Sequence, residues 1–150
     1  MHEPGGAMFD MPVRSVMQRR KILKVPPGTV VAKVARLMAQ KNVGAALIVQ
    51  DARVTGIFTE RDVVFRVVAP GLDPRTTPVS DVMTPAPHAV EPDKPFGYAL
   101  LIMHDKGFRH MPVIENDKLV GIVSSRSAMD PELEEFVSEA ERRKHLRGEA

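Results

Sequence analysis

The feature that most constrains this chain is a seven-residue pattern that occurs twice, 65 positions apart. The first copy is Gly-Ile-Phe-Thr-Glu-Arg-Asp at 56–62, and the second is Gly-Ile-Val-Ser-Ser-Arg-Ser at 121–127. Each copy follows an apolar run and joins a glycine, hydroxyls and an arginine, which is typical of a strand that passes into a helix. A chain that repeats itself in this way folds as two similar halves, and we expect its function in the cleft between them.

The apolar residues follow the same periodicity in both halves. From Thr29 to Lys41 they recur at i, i+3, i+4 and i+7, which predicts an amphipathic helix whose methionine packs in the core. The members of this stripe are Val31, Val34, Ala35 and Met38. The offset of 65 gives a second stripe, which consists of Phe96, Ala99, Leu100 and Met103. Both halves therefore contain the same helix.

A pair of strands follows each of these helices. Two apolar, β-rich segments flank a short polar turn at residues 51–52, and the same arrangement surrounds residues 116–117. This pattern predicts one hairpin in each half. Pro112 lies inside the second hairpin and cannot donate a backbone hydrogen bond, so its strand is expected at an edge or with a local irregularity.

Shorter elements complete the two halves. Residues 11–17 resemble residues 78–83, and each segment is expected to open one repeat. Residues 22–25 and their counterpart 88–90 precede prolines and are predicted to be brief strands. Each half thus consists of strand, helix, strand, strand and helix, which is a mixed α/β fold.

Helices are predicted after both hairpins and at the carboxyl end of the chain. The first covers residues 60–68 and ends at Pro70-Gly71, whereas the second is cut short by Asp130-Pro131. Residues 131–147 form a separate charged helix, with acids before bases as the helix dipole favours. Its narrow apolar stripe suits docking on the module or on a partner chain, or has no role beyond the helix itself.

The composition indicates a soluble globular protein. Of its 150 residues, 43% are hydrophobic and 27% are charged, and no apolar run approaches the roughly 20 residues needed to cross a bilayer. The absence of cysteine excludes disulfides and thiolate chemistry, and it fits a cytoplasmic location. Residues 1–10 lack the features of a secretion signal and are expected to form a loose arm.

The net charge of +2 is unevenly distributed. Residues 11–75 carry +8, whereas residues 1–10, 76–130 and 131–150 each carry −2. A basic half suits phosphate ligands or nucleic acid. A solvated basic face with compensating acids folded nearby would give the same count, so charge alone does not distinguish these interpretations.

The two junction patterns, with Arg-His-Met-Pro-Val at 109–113 ahead of the second, resemble the CBS-domain family, the cystathionine β-synthase type of regulatory domain. The resemblance covers residues 11–130 and is to a tandem pair, called a Bateman module, of the stand-alone bacterial type. It implies two β-α-β-β-α repeats related by a pseudo-twofold axis, usually as a homodimer. The expected divisions are an arm at 1–10, repeats at 11–75 and 76–130, and a helix at 131–150.

The resemblance also implies an adenosine-type ligand, which would be AMP, ADP, ATP, NAD or S-adenosylmethionine, with no metal required. Its contacts are expected among the junctions and the first strand of each hairpin. The predicted nucleotide-binding residues are Val43, Gly44, Ala45, Thr59, Arg61, Asp62, Arg109, His110, Met111, Ser124, Arg126 and Ser127.

Several of these residues have both a binding and a structural interpretation. The helix start near Arg61 and Arg126 suits an anion, and Gly56 and Gly121 would let a ring or another backbone approach closely. Thr59 and Asp62 lie three positions apart and could bind ribose hydroxyls, or they could form a capping box.

The second half differs from the first at the last position of the pattern. Ser127 replaces the carboxylate of Asp62, which would weaken a bond to ribose. Arg109 and His110 are expected to reach phosphates, although a salt bridge and a structural histidine are ordinary alternatives. Val43, Gly44, Ala45 and Met111 either border the adenine or belong to the core.

Catalysis has little support in the sequence. The five histidines are scattered without metal-ligand spacing, and neither a G-x-S-x-G elbow nor a Walker-type loop is present. The leading hypothesis is a non-catalytic regulatory module that senses energy or redox state through an adenosine nucleotide and signals to an effector protein. The alternatives are a nucleic-acid binder that uses the basic first half and a structural dimer with a vacant cleft.

Overall fold

In the computed structural model of this protein, residues 8–128 and 142–143 are described. The predicted helix over 131–147 lies outside them except for Arg142 and Arg143, which are helical. The strands are β1 (Lys24–Val25), β2 (Ala45–Gln50), β3 (Arg53–Thr59), β4 (Thr84–Pro85), β5 (His110–Glu115) and β6 (Lys118–Ser124). The helical segments are Val13–Ser15, Val31–Lys41, Glu60–Asp62, Val63–Val68, Val79–Asp81, Phe96–Lys106 and Ser125–Ala128.

The first repeat forms a sheet with the order β1-β2-β3-β4. β1 is parallel to β2, whereas β3 is antiparallel to both of its neighbours. The β2–β3 turn holds Asp51 and Ala52 at positive φ, of 53° and 63°, as a two-residue hairpin turn requires. Helix Val31–Lys41 buries Val31, Val34 and Met38, so the predicted amphipathic helix and hairpin are confirmed.

The second repeat reproduces this arrangement with a smaller sheet. β5 and β6 form a hairpin whose turn again has positive φ, at Asn116 and Asp117. Helix Phe96–Lys106 buries three residues of the predicted stripe, Phe96, Ala99 and Met103. Two tandem repeats of mixed α/β structure are therefore confirmed.

Residues 88–90 do not form the predicted strand. Only Val90 pairs with the hairpin, through an isolated bridge to Val113. The cause lies in the hairpin strand. In the first repeat the N–H of Leu47 donates to the carbonyl of Leu23, at 2.8 Å, beside β1. The matching residue in the second repeat is Pro112, which has no N–H to donate. β5 belongs to a two-stranded sheet, so Pro112 lies in an edge strand, as one of the two predicted alternatives requires. The register shift between Val113 and Ile114 is not a consequence of the proline, because the first repeat has the same shift between Ile48 and Val49.

The helix after the first hairpin differs from an ordinary α-helix. Its first turn, Glu60–Asp62, is α-helical, but Val63–Val68 has π-helical hydrogen bonding. Its counterpart after the second hairpin begins with 3-10 bonding over Ser125–Ala128, where the described residues end. Residues 129–141 lie outside the described part of the chain, so the predicted shortness of the second helix stays a prediction.

The two opening segments are exchanged between the repeats. Val13 packs in the core of the second repeat, and its N–H donates to the carbonyl of Lys94, at 2.8 Å. Val79 packs in the core of the first repeat, and its N–H donates to the carbonyl of Thr29, at 2.8 Å. Each segment thus opens one repeat in sequence but completes the other repeat in space.

A third apolar cluster joins the repeats. Ala45, Leu47 and Ile57, from the first sheet, are buried against Leu119 and Ile122 of β6. Because every strand alternates its side chains between two faces, these residues lie opposite those that pack under the helices. The two sheets therefore share an apolar interface, and their junctions lie close to it.

Candidate functional site

A cavity of about 490 Å³ lies between the two repeats. Residues from both halves line it: Ala35, Met38, Ala39, Asn42, Val43, Gly44, Glu60, Val63, Arg109, His110, Ser124, Ser125 and Arg126. This volume is within the ordinary range for a site that holds one small-molecule ligand. We call this cavity the inter-repeat cleft.

The second repeat supplies the basic and hydroxyl groups of the cleft. His110 begins β5 and Ser124 ends β6, so the hairpin brings these two residues directly opposite each other. The N–H of Ser125 donates to the carbonyl of Arg109, at 3.0 Å, which fixes the start of the following helical turn beside β5. Arg109 and Arg126 are exposed at this edge and can bind an anion with paired N–H groups.

The first repeat supplies a glycine and a carboxylate at the matching positions. The N–H of Glu60 donates to the carbonyl of Gly44, at 3.0 Å, as Ser125 does to Arg109. A Cβ on Gly44 would lie 3.2 Å from Oε1 of Glu60 and 3.3 Å from Nε2 of His110. The Glu60 carboxylate and the His110 ring therefore flank the space above Gly44, where an added side chain would crowd both groups.

His110 is a partly buried titratable group of this cleft. Burial lowers the pKa of His110, because desolvation disfavours the imidazolium. The carboxylate of Glu60 opposes this effect and raises the pKa, whereas the positive charges of Arg109 and Arg126 lower it further. The net result is a pKa below the usual value, which favours a neutral ring at neutral pH.

The first junction forms a capping box. The N–H of Thr59 donates to Oδ2 of Asp62 at 2.9 Å, the Thr59 hydroxyl donates to the same oxygen at 3.1 Å, and the N–H of Asp62 donates to Oγ1 of Thr59 at 3.3 Å. The structural interpretation of these two residues is therefore correct. Asp62 is only 8% exposed, so its charge needs compensation.

Arg66 provides that compensation. Its Nε lies 3.4 Å from Oδ1 of Asp62, four residues earlier in the helix. Its Nη1 donates to the carbonyls of Val82 and Met83, at 3.3 and 3.2 Å. Arg66 thus connects the first junction to the exchanged segment that packs on the first repeat.

The second junction keeps part of the capping box without the charge. The N–H of Ser124 donates to Oγ of Ser127 at 3.3 Å, and the two hydroxyl oxygens are 3.4 Å apart. Ser127 is 3% exposed, so it is buried at least as deeply as Asp62. A neutral hydroxyl can occupy this position without the cationic partner that Asp62 has.

Both junction glycines permit a close approach, but the neighbour comes from the protein. A Cβ on Gly56 would lie 2.9 Å from Cγ of Met83, and one on Gly121 would lie 2.9 Å from both Cγ of Met17 and the carbonyl oxygen of Gln18. The exchanged segments thus occupy the space beside these glycines. The expectation that another backbone approaches is confirmed at Gly121, whereas the space predicted for a ligand ring is filled by methionine at both positions.

Half of the predicted nucleotide-binding residues line the inter-repeat cleft. They are Val43, Gly44, Arg109, His110, Ser124 and Arg126. The others lie outside its described lining, and they are Ala45, Thr59, Arg61, Asp62, Met111 and Ser127. Ala45 and Met111 are buried in apolar clusters, and the guanidinium of Arg61 lies 4.7 Å from the ring centre of Phe65.

Glu60 is the main cleft residue that the sequence did not identify. An acid in the first turn of a helix ordinarily complements the helix dipole, so Glu60 did not suggest a cleft position. The repeat offset gives a partial signal, because it matches Gly44 to Arg109, which are both predicted residues, and Glu60 to Ser125, which lies between the predicted Ser124 and Arg126. Asn42 was also missed, and it ends helix Val31–Lys41 in the left-handed conformation, at φ 56°.

A second concavity, of about 570 Å³, has the opposite charge. Its ionisable lining consists of Glu91, Asp93, Glu115 and Asp117. Asp93 is paired with Arg14 of the exchanged segment. An acidic surface repels phosphates, so the inter-repeat cleft is the better candidate for a nucleotide site.

Two features are absent from residues 8–128 and 142–143. Within this part of the chain, no three His, Cys, Asp or Glu side chains are grouped so that they could hold a metal ion. No helix in the same residues has the length and apolar character required to span a membrane.

Comparison with known proteins identifies the type of fold. A structure from Pyrococcus horikoshii, of an uncharacterized conserved protein, superposes with a TM-score of 0.77 at 30% identity, covering 83% of this chain and 93% of the other. A CBS domain protein from Pyrobaculum aerophilum, complexed with AMP, superposes with a TM-score of 0.71 at 26% identity, covering 78% and 89%. The fold is thus shared with a nucleotide-bound protein.

The sequence comparison then specifies the family. The CBS domain profile matches residues 13–69 and 79–131. A CBS domain-containing protein of Arabidopsis thaliana is 39% identical over 97 residues, which cover 65% of this chain and 18% of that protein. The chain therefore belongs to the CBS-domain family, and it spans less than a fifth of the length of this plant relative.

Proposed function

We propose that this chain is a regulatory module whose inter-repeat cleft binds an adenine nucleotide, and that ligand binding is its only chemistry. The observation that carries the proposal is the convergence of Arg109, Arg126 and His110 with two serine hydroxyls in a cavity of about 490 Å³. Guanidinium groups bind phosphate in a bidentate manner, and hydroxyls can donate to the remaining oxygens. The AMP complex of the structurally similar protein from Pyrobaculum aerophilum supports this ligand class.

We propose the ribose contact at the first junction. The capping box does not exclude this contact, because a carboxylate can accept about four hydrogen bonds. Asp62 accepts two from Thr59 and has one ionic contact with Arg66, so Oδ1 can accept a further bond. A ribose at this point would use Asp62 in addition to the contacts that stabilise the helix start.

Signalling would follow from the position of the ligand between the repeats. A nucleotide that contacts Glu60 or Gly44 on one side and Arg109 or Arg126 on the other holds the two halves in one relative orientation. A ligand changes a conformational equilibrium only by binding one orientation more tightly than another. An effector protein that contacts both repeats would read this difference, which we propose as the basis for sensing energy or redox state in the cytoplasm.

A homodimer remains a prediction from the family, and the exposed apolar side chains suggest where its contacts lie. Val64, Phe65 and Val68 are 54%, 60% and 66% exposed on the helix after the first hairpin. Tyr98 and Leu101 are 48% and 65% exposed on helix Phe96–Lys106. Burial of such side chains between two copies would stabilise the dimer.

The test is thermal unfolding with adenosine, AMP, ADP, ATP, NAD and S-adenosylmethionine. A ligand at 100 times its dissociation constant stabilises the folded protein by about 2.7 kcal/mol. We expect a clear rise in Tm for at least one nucleotide, and a loss of most of that rise in Arg109→Ala. Arg53→Ala is the matched control, since Arg53 is exposed at the hairpin turn away from the cleft.

Two outcomes would contradict the proposal. The absence of any Tm rise with all six compounds would mean that the cleft does not bind this class of ligand, as the structural-dimer alternative requires. Equal losses in Arg109→Ala and Arg53→Ala would mean that binding occurs elsewhere on the basic surface. In that case, binding of DNA or RNA that falls steeply with salt would favour the nucleic-acid alternative.

A further inference from the structure

The charges of the inter-repeat cleft are not all favourable to phosphate. Four ionisable side chains line it, which are Glu60, Arg109, His110 and Arg126. With His110 neutral, two positive charges face one carboxylate, so the cleft carries a net charge of only about +1 near neutral pH. The carboxylate therefore cancels much of the attraction that the two arginines provide.

The position of Glu60 makes this cancellation local. Its Oε1 and the Nε2 of His110 lie 3.2 and 3.3 Å from the point that a Cβ on Gly44 would occupy. The charges of Glu60, Arg109 and Arg126 all act on the His110 ring, so the carboxylate lies in the same part of the cleft as the groups that would bind phosphate. A phosphate chain that extends along this wall from Arg109 towards Gly44 approaches Glu60, and the neutral His110 ring does not offset the repulsion.

We propose that Glu60 is a specificity-determining residue, which makes the cleft bind a nucleoside monophosphate in preference to the corresponding diphosphate and triphosphate. This inference rests on the proposed function of the cleft. The matching position in the second repeat is Ser125, so the restriction comes from one repeat only. The two arginines suffice for one phosphate group, and each additional phosphate adds negative charge near an existing carboxylate.

The size of the effect follows from Coulomb interaction in a partly solvated cleft. Two like charges several ångströms apart at a protein surface repel by about 1–2 kcal/mol, which corresponds to roughly a tenfold change in affinity. We therefore expect AMP to bind about tenfold more tightly than ATP, with ADP between them. Adenosine, which has no phosphate, should be insensitive to the charge at position 60.

Isothermal titration calorimetry with adenosine, AMP, ADP and ATP tests this directly, in EDTA so that no divalent cation neutralises the phosphates. In Glu60→Gln, the preference for AMP over ATP should fall by about fivefold or more, with less than a twofold change for adenosine. In Ser125→Glu, a second carboxylate at the matching position should increase that preference by a similar factor. Glu91→Gln is the control, since Glu91 is an exposed acid outside this cleft and its loss should leave all ratios unchanged.

The results separate this inference from the proposed function. If the unaltered protein binds none of the four compounds, the proposed function fails, and the inference fails with it. If nucleotides bind but Glu60→Gln leaves the AMP-to-ATP ratio unchanged, only the inference fails. If Glu60→Gln weakens all four compounds equally, including adenosine, Glu60 contacts the nucleoside and does not select by phosphate number.

Discussion

The two strand-to-helix junctions share part of their hydrogen bonding but differ in charge. At the first, Oδ2 of Asp62 accepts from the N–H of Thr59 at 2.9 Å; at the second, Oγ of Ser127 accepts from the N–H of Ser124 at 3.3 Å. Both side chains are buried, and both accept a hydrogen bond from the backbone N–H three residues earlier. The fold therefore requires an acceptor at this position but does not require a carboxylate.

The additional charge of the first junction has a structural partner. Asp62 contacts Arg66, whereas the position that matches Arg66 in the second repeat is Pro131. A buried carboxylate without a cation nearby is costly, so serine suits the second junction and aspartate suits the first. The comparison separates the hydrogen bond to the strand end, present in both repeats, from the charge, which only the first repeat carries.

The largest losses of stability are expected when the glycines that begin the two junctions are replaced by alanine. Gly121→Ala should reduce the free energy of unfolding by about 3 kcal/mol and Gly56→Ala by about 1–2 kcal/mol, because overpacking forces the neighbours to move. The added methyl group at 121 meets the Gln18 carbonyl as well as Met17, whereas at 56 it meets the flexible Met83 side chain. Urea denaturation measures both.

A double-mutant cycle would sharpen this difference between the repeats. Met83→Ala should recover much of the loss in Gly56→Ala, since it removes the atoms that clash. Met17→Ala should recover less in Gly121→Ala, because the Gln18 carbonyl remains in place. If the two double variants recover the same free energy of unfolding, the Gln18 carbonyl moves away from the added methyl group without loss of stability.

An intermediate loss of stability is expected when the two buried acceptors, Asp62 and Ser127, are each replaced by the residue type of the other junction. Asp62→Ser keeps a hydroxyl acceptor and should cost about 1 kcal/mol, through the loss of the Arg66 contact and part of the cap. It should also remove most of the nucleotide-induced rise in Tm. Ser127→Asp places a carboxylate at a buried position that lacks the counterpart of Arg66, and should cost about 1–3 kcal/mol.

The stability of these variants and their response to nucleotide must be measured together. If Asp62→Ser retains the full Tm rise with nucleotide, the carboxylate serves only the capping box and Arg66, and the ribose contact lies elsewhere. If Ser127→Asp is as stable as the unaltered protein, the second junction tolerates charge, and the electrostatic explanation of the serine is wrong.

The smallest effect on stability is expected from protonation of His110, the residue at the start of β5. The pKa of His110 is lowered in the folded protein, so the unfolded chain binds more protons in the window between that pKa and the unperturbed value of about 6.5. Stability is therefore full above about pH 6.5 and declines as the pH falls towards the folded pKa. The first repeat has Ala45 at the matching position and contributes no such term.

Chemical denaturation between pH 5 and pH 8 measures this dependence. His110→Gln should flatten the profile below about pH 6.5, whereas His104→Gln, which alters an exposed histidine, should leave it unchanged. Glu60→Gln should steepen the loss, because the carboxylate opposes the lowering of the His110 pKa. An identical profile for His110→Gln and the unaltered protein would contradict the assigned cause.

The repeat offset predicted most of the fold, because matching apolar stripes and hairpin turns depend on local spacing. It did not predict the exchange of the opening segments, since an offset shows that Val13 and Val79 are equivalent but not which core each one enters. The π-helical bonding of Val63–Val68 also has no local signature. In the cleft, Arg109 and His110 were identified, whereas Glu60 was missed because its direction depends on how the helix leaves β3.

The exchanged segments have a consequence for how the molecule folds and moves. The sequence repeat is not the folding unit, because the core of each repeat is completed by the opening segment of the other repeat. Neither half can melt alone without uncovering apolar surface in its neighbour, so unfolding should be a single cooperative event. For the same reason, a displacement of one sheet moves a segment that packs in the core of the other repeat, because the two are joined by continuous chain.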